Sequence, residues 1–186
     1  MRIISGEFKG RRITAPKKLP VRPTTDMAKE ALFNILNNLY YIDDISVIDL
    51  FAGTGNISYE FASRGTENIL AIDQDFGCIK FINETAESFE MNIKTIKSDV
   101  FKFLENTKQK ANVIFADPPY DFPLEEFVKI PTLVFENNLL EAGGVLIVEH
   151  SKHTPLSHLP QFSYSKSYGG NMFSFFENTE LSDEEE

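Results

Sequence analysis

The chain has 186 residues, a formal charge of −10, 42% hydrophobic and 25% charged residues. That is ordinary usage for one globular domain and excludes a disordered or fibrous chain. No apolar run approaches the ~20 residues of a membrane-spanning helix, and the opening MRIISGEFKG lacks an apolar signal segment, so a soluble, cytoplasmic protein with no membrane partner is expected. Cys78 is the sole cysteine, which excludes an internal disulfide and a cysteine-built zinc site.

The charge is unevenly spread. Residues 1–30 carry Arg2, Lys9, Arg11, Arg12, Lys17, Lys18, Arg22 and Lys29 against Glu7, Asp26 and Glu30, a balance of +5, which leaves −15 for the remainder. A basic arm on an acidic body suits local contact with phosphates, since neutralising them releases counterions; a merely solvated hairpin is the plain alternative. Within this arm, residues 2–5 and 11–14 flank Gly6 and Gly10 and predict a short hairpin, followed by an extended stretch over 15–23 with three prolines. Thr24, Thr25 and Asp26 offer N-cap oxygens to a helix whose apolar face is Ala28, Ala31, Leu32, Ile35, Leu36 and Leu39.

From Ile45 the texture becomes short apolar runs separated by amphipathic stretches, the pattern of a buried parallel sheet covered by helices on both faces. Strands are predicted at about 45–50, 68–73, 93–97, 112–117 and 144–149, and helices near 56–64, 76–90, 99–107 and 124–138, with Pro131 interrupting the last. Residues 162–168 and 171–177 alternate aromatic with polar around Gly169-Gly170 and read as a terminal antiparallel hairpin. Six acids in residues 177–186 read as a solvating tail. The expected organisation is a basic hairpin and helix extension over 1–40, a catalytic domain over 41–177 and an acidic disordered tail over 178–186.

The chemistry sits at strand ends. Asp49-Leu50-Phe51-Ala52-Gly53-Thr54-Gly55 runs from a strand through a glycine turn into a helix, and glycine permits close backbone approach to a ligand. Ser58 stands where a dinucleotide site would want a third glycine, so hydride transfer is weakly supported. Asp73 ends the second strand, 18 residues after Gly55, and can accept from both hydroxyls of a ribose. Asp75 suits the cap of the following helix. Asp99, before Val100, is either a helix cap or a partner for an adenine amino group. At the fourth strand end comes Asp117-Pro118-Pro119-Tyr120. Two prolines fix the backbone, so the Asp117 carboxylate and the Pro118 carbonyl can converge on an exocyclic amino group; holding its hydrogens favours the tetrahedral nitrogen that attacks a methyl carbon. Tyr120 offers a face for base stacking. A rigid turn with an exposed aromatic is the alternative.

Asp49–Gly55, Asp73, Asp99 and Asp117–Tyr120, in that order and spacing, resemble the class I S-adenosylmethionine-dependent methyltransferases that modify exocyclic amino groups of bases. The opening Arg2–Gly6, Lys9-Gly10-Arg11-Arg12, Arg22–Asp26 and Glu30–Asn34 closely resembles the RsmD group of bacterial 16S rRNA guanine-N2 methyltransferases, and the likeness runs to about residue 177. The resemblance implies an α/β, Rossmann-like fold with a seven-stranded, mostly parallel sheet, helices on both faces and a reversed last strand in an antiparallel C-terminal hairpin, plus the small N-terminal extension. It also implies S-adenosylmethionine as cofactor. Asp49, Phe51, Gly53, Gly55, Asp73, Asp99 and Val100 would bind it, and Asp117, Pro118, Pro119 and Tyr120 would surround the target guanine. Arg11, Arg12, Lys17, Lys18, Arg22 and Thr24 would hold the RNA, with Arg22 and Thr24 close to the active site as part of the family's Arg-Pro-Thr signature. The expected partner of a monomeric enzyme is 16S rRNA within the small ribosomal subunit or an assembly intermediate. Aspartate at 73 departs from the family's usual glutamate.

Three other readings compete. A DNA adenine-N6 methyltransferase shares Asp-Pro-Pro-Tyr, but only 62 residues separate Gly55 from Asp117, too few for an inserted target-recognition domain. A protein-glutamine methyltransferase would use Pro-Pro-Tyr, usually after Asn. A non-catalytic RNA-binding assembly factor would be expected to lose Asp73 or Asp117. No metal is expected, because a neutral thioether leaves and in-line positioning suffices; His150, His153 and His158 read as a surface loop.

Overall fold

The protein is described from a computed structural model covering residues 1–21 and 24–178; Arg22 and Pro23 of the basic arm and residues 179–186 of the expected acidic tail lie outside the described residues. The short apolar runs become strands β1 (Ser46–Leu50), β2 (Asn68–Asp73), β3 (Ile93–Lys97), β4 (Ala111–Ala116) and β5 (Leu140–Ser151), and the aromatic hairpin becomes β6 (Phe162–Tyr168) and β7 (Asn171–Glu177). Helices α1 (Asp26–Leu39), α2 (Asn56–Ser63), α3 (Phe76–Ser88), α4 (Val100–Asn106) and α5 (Leu124–Glu136) alternate with the first five strands. The sheet order is β3-β2-β1-β4-β5-β7-β6. Strands β1 to β5 pair in parallel, whereas β7 runs antiparallel to both β5 and β6.

Period-2 alternation sends successive strand residues to opposite faces. Val47, Val113, Phe115 and Ile147 pack with Leu32, Phe33, Tyr59 and Ile82 of α1, α2 and α3; Ile48, Ile114, Leu146 and Val148 pack with Phe103, Phe127 and Ile130 of α4 and α5. Ile3 and Ile13 of the N-terminal segment share the first of these cores. Strand order reverses between β1 and β4, so the carboxyl ends of these two strands open a crevice where open α/β sheets take their ligands.

Three expectations need correction. The helix through Pro131 is continuous: Phe127, Ile130, Pro131 and Val134 are buried on one apolar stripe, and that packing outweighs the ~3 kcal/mol a mid-helix proline costs. The buried face of α1 is Ala28, Lys29, Leu32, Phe33 and Leu36, turned so that Leu39 is exposed, because a lysine carries a buried ion pair described below. Strand β5 begins at Leu140 and passes through Gly143-Gly144 with a shift of register against β4. The expected N-terminal hairpin forms: Arg2 and Arg12 make an antiparallel bridge, flanked by the Ile3 N–H donating to the Arg11 carbonyl at 2.9 Å and the Ile13 N–H to the Met1 carbonyl at 2.9 Å. At its tip the Glu7 N–H donates to the Ser63 carbonyl at 2.7 Å, and a Cβ on Gly6, at φ +87°, would lie 1.9 Å from that same oxygen. The arm is therefore seated on the end of α2.

Candidate active site

A cavity of about 800 Å3 opens over the carboxyl ends of β1, β2, β4 and β5, within the size range of small-ligand sites. Its floor is the glycine turn. Phe51, Gly53 and Gly55 all have positive φ, 56°, 56° and 89°; for a phenylalanine this conformation is strained and is held by its surroundings. Asp73 secures the turn from the neighbouring strand. Its Oδ2 accepts from the Gly53 N–H at 2.9 Å and its Oδ1 from the Asp75 N–H at 2.9 Å, which orients a carboxylate that also lines the cavity. A Cβ on Gly55 would lie 2.7 Å from the Tyr59 ring, so that position has no room for a side chain, and one on Gly53 would press against Val21 at 3.1 Å. Gly55 itself lies beneath the cavity lining, as the N-cap of α2.

Ser58, the residue that breaks a dinucleotide fingerprint, is fully buried and donates its hydroxyl to Asp49 Oδ2 at 2.7 Å. Burial pushes the Asp49 carboxyl up to about 7, opposed by the Ser58 hydrogen bond. Asp49 thus presents a carboxyl to the cavity that gains charge near neutral pH.

One wall is aromatic. The Phe51 ring meets Phe122 edge-on at 5.5 Å, Phe101 stacks on Phe122 at 6.0 Å, and Phe127 meets Phe122 edge-on at 5.3 Å. Asp75 caps α3, accepting from the Cys78 N–H at 2.8 Å. Asp99 caps α4, accepting from the Lys102 N–H at 3.0 Å, and with Val100 it also lines the cavity; the two uses weighed for Asp99 are geometrically compatible. Phe101 and Phe122 went unrecognised in the sequence, because single phenylalanines in a chain with 17 of them carry no signal until the fold stacks them.

At the other end of the cavity lie Asp117, Pro118, Pro119 and Tyr120. Pro118 is buried between two more accessible positions, the Phe122 N–H closes the turn onto the Pro119 carbonyl at 3.0 Å, and Tyr120 is 86% exposed. Beside them stand three residues from distant parts of the chain. Thr24 donates its hydroxyl to Glu149 Oε2 at 2.8 Å, and Asn171 donates its side-chain amide to Glu149 Oε1 at 3.1 Å. Thr24 is therefore buried at the cavity, beside the Asp-Pro-Pro-Tyr turn. His150 corrects an expectation: it is buried in β5, with Nε2 2.6 Å from the Ser174 hydroxyl and Nδ1 2.8 Å from the Ser151 carbonyl. Burial lowers its pKa. His153 and His158 are exposed. Among the described residues no group of His, Cys, Asp and Glu could hold a metal ion, and no helix is long and apolar enough to cross a membrane.

Of the basic arm, Arg11, Arg12, Lys17 and Lys18 are exposed, and Pro20 and Val21 just beyond them line the cavity. Arg22 lies outside the described residues. Lys29, counted with the arm's charges, is not available to a phosphate: it is buried against the fully buried Glu60, 3.3 Å away. Its Nζ also donates to Asn56 Oδ1 at 2.9 Å and to the Arg2 carbonyl, and burial lowers its pKa. Glu60 collects the Ile4 N–H at 2.8 Å, the Ser5 N–H at 3.1 Å and Arg64 Nε at 2.9 Å. A single carboxylate of α2 thus ties together the arm, α1 and its own helix.

The family model described as Conserved hypothetical protein 95 matches residues 1–177. YlbH of Bacillus subtilis is 34% identical over 162 residues, spanning 84% of this chain and 85% of that one. The Haemophilus influenzae protein named Ribosomal RNA small subunit methyltransferase D is 30% identical over 161 residues, spanning 84% and 81%. Among solved structures, a hypothetical protein of Thermus thermophilus superposes with a TM-score of 0.82 at 26% identity, over 96% of this chain and 99% of that one.

Proposed function

Since the chain belongs to the Conserved hypothetical protein 95 family, the RsmD family, we propose that it is an rRNA methyltransferase that moves a methyl group from S-adenosylmethionine to the exocyclic N2 amino group of a guanine in 16S rRNA. The observation that carries this reading is the juxtaposition in one cavity of the Asp73-braced glycine turn and the Asp-Pro-Pro-Tyr turn.

S-adenosylmethionine fits the first of these: an 800 Å3 cavity, glycines that leave the turn bare, and an oriented carboxylate with an aromatic wall beside it. Asp73 would accept from the ribose hydroxyls, Asp99 and Val100 would border the adenine, and Asp49 with Phe51, Gly53 and Gly55 would shape the methionine end. When bound, the cofactor supplies an electrophilic methyl group. The chain's own residues do the rest. Asp117 and the Pro118 carbonyl accept the two hydrogens of the target amino group and favour its tetrahedral form, Pro118 and Pro119 fix those acceptors, and the Tyr120 ring stacks on the base. Arg11, Arg12, Lys17 and Lys18, with Arg22, would hold the RNA phosphates, and Thr24 lines the site itself. The same reading makes the small ribosomal subunit or an assembly intermediate the partner.

The assay is single-turnover methylation of rRNA lacking the modification. Asp117→Ala should slow transfer by about 10²–10³, with less effect on the affinity for either substrate, and Asp117→Asn should retain more activity because one acceptor oxygen remains. Tyr120→Ala should lose ~1–3 kcal/mol of stacking, and Tyr120→Phe little. Transfer by Asp117→Ala at the wild-type rate would leave Asp-Pro-Pro-Tyr a rigid turn and sink the assignment.

A further inference from the structure

Beyond the hairpin seated on α2, the basic arm continues to the cavity. Lys17 and Lys18 are exposed, and Pro20 and Val21, directly after them, line the cavity. Two apolar contacts hold this stretch. Val21 lies against Gly53, where an added Cβ would meet its Cγ1 at 3.1 Å, and Leu19 lies against Gly77, where one would meet its Cδ2 at 2.8 Å. Both glycines belong to the Asp73 end of the cavity: Gly53 donates its N–H to Asp73, and Gly77 is in the first turn of α3, between the cavity-lining Asp75 and Cys78. Downstream, the Thr24 carbonyl accepts from the Asn56 amide at 3.1 Å. The bonds that shape the stretch itself are local, Leu19 N–H to the Pro16 carbonyl at 3.2 Å and Val21 N–H to the Leu19 carbonyl at 2.9 Å, and Leu19 and Val21 are only partly buried. A segment held by a few half-buried apolar contacts opens at little cost, so ligands can shift its placement.

We propose that Pro20 and Val21 complete the S-adenosylmethionine site, with Leu19 as the residue that positions them, and that cofactor and RNA strengthen each other's binding through residues 17–21. The inference rests on the rRNA methyltransferase reading above. Apolar contact with the cofactor favours the arm lying against Gly53 and Gly77. The target base enters the same cavity at the Asp-Pro-Pro-Tyr turn, so phosphates flanking it come within reach of Lys17 and Lys18 when the arm is seated at the rim. Two ligands that each favour one placement of a shared segment bind with positive coupling, and that coupling is equal in both directions. The consequence is an enzyme that holds its methyl donor most tightly when its substrate is in place.

The test uses the full-length chain, S-adenosylhomocysteine as an unreactive cofactor probe, and unmodified small-subunit rRNA. By calorimetry, wild type should bind the probe at least about fivefold more tightly with saturating rRNA than without it, and in filter binding rRNA affinity should rise by the same factor when the probe is saturating. Val21→Ala should weaken probe binding in the absence of RNA by about four- to fifteenfold, each lost methyl contact being worth roughly a factor of four. Leu19→Ala should bring the coupling factor close to one. Trypsin reads the placement of the arm directly: the probe should slow cleavage after Lys17 and Lys18 several-fold in wild type and leave it unchanged in Leu19→Ala. The coupling and cleavage measurements on wild type need no variant. Probe affinity unchanged by Val21→Ala takes the arm out of the cofactor site, and a wild-type coupling factor of one breaks the link to RNA; either result overturns the proposal. If wild type binds no probe at all, the methyltransferase reading itself falls, a result distinct from both.

Discussion

Replacing Glu60 by Gln tests how the basic arm is held, because it keeps the side chain's volume and removes its charge. Four donors converge on this carboxylate: Ile4 N–H, Ser5 N–H, Arg64 Nε and Lys29 Nζ, at 2.8, 3.1, 2.9 and 3.3 Å. Glutamine keeps one acceptor oxygen and turns an NH2 toward the others, so at least one backbone N–H loses its partner and the Lys29 ammonium, 1% exposed, loses its counter-charge. Breaking one partner of a buried ion pair costs about 3–5 kcal/mol. For a chain of this size each kcal/mol shifts the melting temperature by roughly 2–4 °C, so a fall of about 6–20 °C is expected in differential scanning calorimetry. Adding Lys29→Met to the same protein should recover much of the loss, since no unpaired ammonium remains. A fall under about 2 °C would refute the argument that this pair anchors the arm.

Asp73→Ala should weaken S-adenosylmethionine binding about ten- to a hundredfold, the worth of a charge-assisted hydrogen bond of ~1.5–3 kcal/mol; an unchanged dissociation constant by calorimetry in a folded variant would remove Asp73 from the cofactor site. Replacing Arg11, Arg12, Lys17 and Lys18 by Ser should lower rRNA affinity and flatten its salt dependence without touching cofactor affinity, and identical slopes in filter binding would reduce the arm to a solvated segment. Asp49 has a folded-state pKa raised from 3.8 to about 7, so the folded form binds its proton more tightly than the unfolded chain. That contribution is complete below about pH 4 and is lost as pH rises to 7, on the order of 4 kcal/mol at most. Asp49→Asn should therefore gain thermal stability relative to wild type between pH 4 and 7 and hold a constant lead above it; a difference that does not vary with pH would count against a buried, proton-binding Asp49.

Much of the fold is legible in the sequence because its signals are local. Short apolar runs bounded by Asp49, Asp73 and Asp117 mark strands that end at the crevice, and Asn56 opens its helix where the glycine turn predicts. The hairpin around Gly169-Gly170 falls at its expected limits. What the sequence hides is non-local. Lys29 reads as one more arm charge until α2 brings Glu60 against it, and His150 reads as part of a polar loop because the Ser174 that receives it lies on the returning strand β7. Glu149 carries no motif; its place at the cavity is fixed by Thr24, 125 residues away, and by Asn171 on β7. Pro131 misleads for the opposite reason: a strong local signal is overridden by the packing of α5 on the sheet.

The central claim is tested most directly by the identity of the methylated nucleoside. Small-subunit rRNA from cells lacking the enzyme, both free and within the subunit, is incubated with the protein and isotopically labelled S-adenosylmethionine, then digested and resolved by mass spectrometry. The account predicts label in N2-methylguanosine at a single 16S position, lost or strongly reduced with Asp117→Ala. Label in N6-methyladenosine, or no label in either form of the RNA, would contradict it.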